Sequence, residues 1–227
     1  MLQAENVNAY YGKLQVLHEL SLTIADGERV GIFGHNGAGK TTLLKSLVGD
    51  VSQVDGTIHY HQHAILAGQV HLNVRRGIGF VPQGNNVFRE LSVEQNLRIA
   101  GLMHDTAYAE SVYGIFPILK ERQLQQAGSL SGGQQQMLAL GMALMTRPRI
   151  LLLDEPTTGL APIIVKDVLS SVRTINQSEG TTVLIVEQNV QATLQEVERA
   201  IVLKAGRVIF DGASKQLLEE NNLWHLF

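Results

Sequence analysis

Short apolar runs alternate with stretches of helical periodicity, and that alternation predicts an α/β core. Arg29 to Phe33 reads as a buried strand stopped by Gly34, and Thr41 to Val48 as a short helix ended by Gly49. Ile150 to Leu153 is a second buried strand, too continuously apolar for a sheet with one wet face. Thr181 to Val186 is a third, and Ala200–Leu203 with Arg207–Phe210 predicts a hairpin turning at Ala205-Gly206. From about Glu90 to Gln126 the pattern becomes helical, with Val93, Leu97, Ile99 and Leu102 on the apolar positions. That stretch, rich in Gln, Glu and Arg, predicts a small helical insert. The N-terminal segment and the segment around Gly56 to His63 read as extra, antiparallel strands. His59, His61 and His63 fall at period two, so on one strand they would share a face. Three histidines on one strand are too splayed to close a tetrahedral metal site unaided, and a solvated face is expected.

Composition narrows the field. The 227 residues suffice for one large domain, or a core with a smaller insert, that buries its apolar surface without staples. The 18 basic and 21 acidic residues leave a net charge of −3, so no global field draws the chain to nucleic acid or anionic lipid, and no nucleic-acid partner is expected. With no cysteine, a disulfide framework, a thiolate zinc site and a cysteine nucleophile are all excluded. Met1 to Asn6 has neither a basic n-region nor an apolar h-region, and no apolar run approaches the ~20 residues of a membrane helix. A soluble intracellular protein is expected, with any membrane supplied by other chains.

The densest chemistry lies in Gly34-His35-Asn36-Gly37-Ala38-Gly39-Lys40-Thr41, which fits G-x-x-x-x-G-K-[ST] between a buried strand and a helix. Glycines let consecutive N–H groups turn inward as an anion nest, and the helix start adds unpaired donors and a positive dipole end. Lys40 is then placed for the β- and γ-phosphates, the Thr41 hydroxyl for Mg²⁺, and Thr42 for a further phosphate contact. The strand Leu151–Leu153 ends in Asp154-Glu155-Pro156, where open α/β sheets bind ligands. Asp154 is placed to hold the metal and Glu155 to polarise an attacking water. Both side chains cannot point one way on an extended strand, so the chain must turn there, as Pro156 permits. Leu130-Ser131-Gly132-Gly133-Gln134 precedes a helical run to Met145, with Ser131 and Gln134 forming a capping box. Such a helix start is also an anion site, and a monomeric phosphate-loop enzyme has no need of a second one.

In order, the phosphate loop, Gln83 after Gly79-Phe80-Val81-Pro82, the Leu130–Gln134 string and Asp154-Glu155 resemble the ATP-binding subunit of an ABC transporter over essentially the whole chain. The resemblance implies an ABC-type P-loop NTPase core with an antiparallel β subdomain over 1–83 and 130–227, and a helical subdomain over 84–129. It implies ATP and Mg²⁺, with Gln83 joining Thr41 and Asp154 around the metal and contacting the water. It further implies two subunits packed head to tail, so that Ser131, Gly132, Gly133 and Gln134 act on ATP held by the other chain. Tyr11 matches the aromatic that stacks on adenine, a contact worth ~1–3 kcal/mol, with Tyr10 as its rival. The insert would dock on integral membrane permease subunits, served indirectly by a solute-binding protein, with the chain peripheral on the cytoplasmic face of the cell membrane.

Several strings resemble the shorter ATPase subunit of branched-chain amino acid importers: Val81-Pro82-Gln83-Gly84, Asn86-Val87-Phe88, Gln134 to Ala139, Gly159 to Val165, and Val186 to Asn189. Most ABC ATPases carry a switch histidine where this chain has Gln188, and an acid where it has Ala161; that subfamily shares both departures. Gln188 can donate to a phosphate oxygen but cannot carry charge. Met142 stands where relatives usually have arginine, which implies a changed contact with hydrolysis kept. Two other functions compete. Arg75 to Gly79 and Phe88 to Ser92 also resemble lipid or lipopolysaccharide exporter ATPases, against which Gln188 counts. A low-turnover regulatory module would fit Gln188 and Ala161 but leaves Glu155 without a use. Soluble ABC ATPases of translation or repair need two cores or a long arm, for which 227 residues leave no room.

Overall fold

The computed structural model describes residues 1–84, 86–102 and 104–219. Its strands fall into two sheets. The smaller is antiparallel and comes from the N-terminal quarter: β1 (Leu2–Tyr11), β2 (Leu14–Ile24), β4 (Gln53–Tyr60) and β5 (His63–Ala64), in the order β2-β1-β4-β5. The larger holds β3 (Arg29–Phe33), β6 (Ile78–Val81), β7 (Ile150–Asp154), β8 (Thr182–Val186), β9 (Arg199–Lys204) and β10 (Arg207–Ala213), ordered β10-β9-β3-β8-β7-β6. All its neighbours are parallel except β9 and β10, which form the expected hairpin.

The continuous apolar runs follow from burial on both faces. Along β7, Ile150 and Leu152 enter one core while Leu151 and Leu153 enter another, and β8 alternates likewise. The first core packs the large sheet and α1 (Lys40–Val48) against the antiparallel sheet. After α1 comes the short α2 (Val70–Arg75). The second core joins the opposite sheet face to α3 (Val93–Gly101), α4 (Ala109–Ile115), α5 (Pro117–Glu121), α6 (Gly132–Leu144) and α7 (Pro162–Glu179). Two short helices, α8 (Val190–Leu194) and α9 (Ser214–Glu219), cover a third cluster around Phe33 and Leu217. Among the described residues no helix is long and apolar enough to cross a membrane.

Two sequence expectations are corrected. His59, His61 and His63 do not share a strand face: β4 ends at Tyr60, His61 turns the chain at φ +51°, and His63 returns on β5. In the helical insert, Val93 and Leu97 are buried, but Ile99 and Leu102 face outward. The inward face includes Asn96 instead, whose side chain accepts from the Phe88 N–H (2.7 Å) and donates to the Phe88 and Ser92 carbonyls (3.0 and 2.9 Å). A buried amide with its bonds met replaces the expected apolar contact. The C-terminal Trp224 to Phe227, which the sequence alone reads as a packed tail in preference to a partner contact, lies outside the described residues.

Candidate functional site

The loop 34–39 joins β3 to α1 at the C-terminal edge of the parallel strands. Gly34 has φ +149°, and a Cβ there would lie 2.3 Å from the Leu203 carbonyl oxygen, so only glycine fits. Gly39, at φ +101°, caps α1 without a side-chain bond, leaving the first N–H groups of the helix for a ligand. Lys40 is almost wholly buried, and its Nζ donates to the Gly34 and His35 carbonyls at 2.7 and 3.2 Å. Burial pushes its pKa down, against the pull of Glu155, Asp154 and Glu187.

A cleft of about 310 Å³ opens here. One wall is Asn36, Gly37, Gly39, Lys40, Thr41 and Thr42; Gln83, Glu155 and Gln188 face them. Three loop residues, Gly34, His35 and Ala38, shape the turn without lining the cleft. Tyr11 also stands outside it, half-exposed at the end of β1, and the apolar edge is Val16 of β2, which sequence patterning does not single out.

Asp154 closes β7 and Glu155 adopts φ +48°, so the chain does turn between the two acids. The Thr41 hydroxyl donates to Asp154 Oδ1 at 3.1 Å. Burial holds the Asp154 carboxyl above the usual range, with the Thr41 bond opposing. Three donors converge on a single oxygen of Glu155: Gln83 Nε2 at 2.8 Å, Gln188 Nε2 at 2.7 Å and Thr158 Oγ1 at 3.1 Å. Residues expected from distant strings thus meet at one carboxylate.

Glu187 is the participant that sequence patterning missed. It follows β8, is fully buried, and takes the Thr157 N–H on Oε1 (2.8 Å) and the Gln188 N–H on Oε2 (3.1 Å). It thereby ties the loop after Glu155 to Gln188. Burial raises its pKa above the usual 4.5, opposed by those donors. The folded chain therefore keeps this proton to higher pH than the unfolded chain, and stability falls as pH rises from 4.5 through the raised value. Glu187→Gln is expected to cost about 1–3 kcal/mol, because a carboxamide offers one oxygen to two N–H groups. The variant should also lack that fall in stability, measured by urea unfolding between about pH 4.5 and 7. Parallel pH slopes in both proteins would refute the assignment.

Ser131 caps α6 through the expected box, with Gln134 N–H on Ser131 Oγ at 3.4 Å and Ser131 N–H on Gln134 Oε1 at 3.1 Å. None of Ser131, Gly132, Gly133 or Gln134 lines the Lys40 cleft. Gly132 instead borders a second hollow of about 520 Å³, which also reaches Gln83, Glu155 and Gly159. Gly133 is buried under α7: a Cβ there would stand 2.1 Å from Ile164 Cγ2. Met142 is half-buried against the second core.

The family model described as ABC transporter matches residues 17–158 of this chain. The chain belongs to the ABC transporter family. It is an ABC-type ATPase, and its phosphate loop, Asp154-Glu155 and Ser131–Gly133 all lie within the matched span. The high-affinity branched-chain amino acid transport ATP-binding protein BraG of Pseudomonas aeruginosa is 42% identical over 222 residues, covering 96% of this chain and 95% of BraG. The lipopolysaccharide export system ATP-binding protein LptB of Escherichia coli is 34% identical, covering 100% of this ABC ATPase and 96% of LptB. A solved ATP-binding cassette of an ABC transporter superposes with a TM-score of 0.89 at 25% identity, covering 100% of this chain and 98% of that one.

Proposed function

We propose that this ABC ATPase drives import of branched-chain amino acids, as one of two ATP-binding subunits on the cytoplasmic face of a membrane permease. The carrying observation is the meeting of Gln83, Gln188 and Thr158 on Glu155 Oε2, across a cleft from a phosphate-shaped loop. ATP phosphates seat on the loop and α1 N–H groups, and Lys40 turns from its two carbonyls to the β- and γ-oxygens. Glu155 takes the proton of an attacking water once one of its three donors yields that place. Gln188 then has its amide hydrogens for a phosphate oxygen, without the charge of a histidinium. Tyr11 is left to reach the adenine from outside the cleft, beside Val16.

Thr41 and Asp154 bring hydroxyl and carboxylate oxygens within 3.1 Å, and Gln83 can add an amide oxygen. These hard donors suit Mg²⁺, which keeps waters and substrate phosphates as its other ligands. When bound, the ion neutralises charge on the transferred phosphoryl group.

Ser131 and Gly133 stand outside their own chain's cleft, which favours a head-to-tail pair in which the neighbour supplies them, either a second copy or a sibling ATPase. The 84–129 segment exposes three large apolar side chains, Phe88, Leu102 and Leu124, with 51%, 63% and 79% of their surface open, contacts that permease subunits would cover. A solute-binding protein would act only through that permease. Substrate assignment leans on the 42% identity to BraG against 34% to LptB, and on Gln188. Expressing the chain in cells lacking their own shorter branched-chain ATPase should restore uptake of labelled leucine. Restored lipopolysaccharide export in export-deficient cells, with no leucine uptake, would replace this function with the exporter one.

A further inference from the structure

A second cleft, of about 420 Å³, gathers basic groups from four separate segments and is lined by no aspartate or glutamate. Arg75 and Arg76 come from the end of α2, Arg147 and Arg149 from the loop joining α6 to β7. His61 and His63 come from the β4–β5 turn, and His104 from the stretch after α3. His61 and His63, which do not share a strand face, thus share a cavity with four guanidinium groups, while His59 stays outside it. It touches none of the phosphate-loop residues.

Among the described residues, none of the four arginines is ion-paired with a carboxylate. Arg76 rests on neutral acceptors, the Ala64 carbonyl and Asn73 Oδ1, both at 3.2 Å. Arg147 lies 5.1 Å from the Tyr108 ring centroid and holds φ +49°, a conformation that costs a non-glycine residue about 1 kcal/mol or more. Two acids, Asp26 and Glu179, line an adjoining hollow that His61, Arg147 and Arg149 also border. The N-terminal ammonium chiefly lowers the Asp26 pKa and Arg149 is close enough to help, but both carboxylates make their bonds to groups other than the arginines. Asp26 holds the N-terminal ammonium and, at 3.5 Å, His61 Nε2, while Glu179 holds the Tyr108 hydroxyl. Elsewhere arginines pair with acids as usual: Arg199 holds Glu28 and Asp211, and Arg29 holds Glu198. The whole chain carries −3, so this concentration of positive charge runs against its average. Like charges around one hollow repel, and an anion within it reverses that cost. Planar guanidinium forks match phosphate oxygens in bidentate pairs, and histidine N–H groups add neutral donors.

We infer that this cleft binds a phosphate group, a ligand site separate from the ATP cleft. Two sources share that chemistry, a free phosphorylated small molecule and an anionic lipid headgroup, and the test separates them. The full chain is first saturated with ADP, so that the Lys40 cleft is filled, and inorganic pyrophosphate is titrated calorimetrically. Pyrophosphate should bind, and Arg75→Ala/Arg149→Ala should weaken it at least ~10-fold while ADP affinity stays unchanged, which also reports an intact fold. Arg75→Lys/Arg149→Lys should recover only part of the affinity, since an ammonium lacks the fork. Sedimentation with phosphatidylglycerol vesicles, against phosphatidylcholine vesicles, then assigns the source. Capture that needs these arginines and is displaced by pyrophosphate means a lipid headgroup, and pyrophosphate binding without capture means a free ligand. No pyrophosphate binding, or binding indifferent to both double variants, overturns the site. So does binding of a polyglutamate peptide that pyrophosphate fails to displace, which would mark a protein-docking surface.

Discussion

Glu155→Gln should lower ATP turnover by roughly 100- to 10,000-fold, the range expected for removing a positioned general base. The geometry favours a clean result. A glutamine keeps the carboxylate's shape, so Gln83, Gln188 and Thr158 retain an oxygen to donate to. The left-handed turn at φ +48° and the N–H bond from residue 155 to the Val186 carbonyl (2.9 Å) are backbone features that this change leaves alone. Only basicity is lost. ATP affinity should survive, since no phosphate donor changes, and the variant should accumulate ATP-bound pairs that light scattering or gel filtration detects. Turnover near the wild-type rate would remove Glu155 from its assigned role.

Lys40→Ala should act at the step before. Its Nζ is held beside the cleft on two loop carbonyls, which it exchanges for phosphate oxygens when nucleotide binds. Losing one charge-assisted contact costs about 1.5–3 kcal/mol, which is roughly 10- to 100-fold in nucleotide affinity. The truncation also frees the Gly34 carbonyl, loosening a loop whose first glycine is already pressed against Leu203. Equilibrium binding of a fluorescent ATP analogue measures the change directly. Glu155→Gln and Lys40→Ala therefore separate, the first sparing binding and the second weakening it. An affinity unchanged by Lys40→Ala would mean that the loop does not hold phosphate.

The elements legible in the sequence were those whose signal is local. Strands β3, β7 and β8 stood out because burial on both faces demands unbroken apolar runs. The turn of the phosphate loop and the pair of acids at the end of β7 are legible for a similar reason: each is a contiguous string. The long helix α7 went unread although its marks are present, with Pro162 at its start, Gly180 at φ +67° at its end, and Val165, Val168, Leu169, Val172 and Ile175 on one face. In the insert, Val93 and Leu97 are legible as inward positions and Ile99 and Leu102 are not, because Asn96 takes an inward place by bonding loop backbone that no periodicity reveals. Glu187 and Val16 escaped for a third reason. Each matters through what folding brings beside it, the Thr157 N–H in one case and the phosphate loop in the other.

The notch at Gly133 has a mechanical consequence. Ile164 fills it, and Ile164 sits in the first turn of the helix that leaves the Glu155 loop, only a few residues downstream. The opening turns of α6 and α7 are thus meshed like two gear teeth, and neither can rotate about its axis without unseating the other. In the proposed pair, the loop carrying Glu155 is geared to the helix whose tip would face the neighbour. Here glycine is the cut between teeth, and its missing side chain lets the two helices lock together.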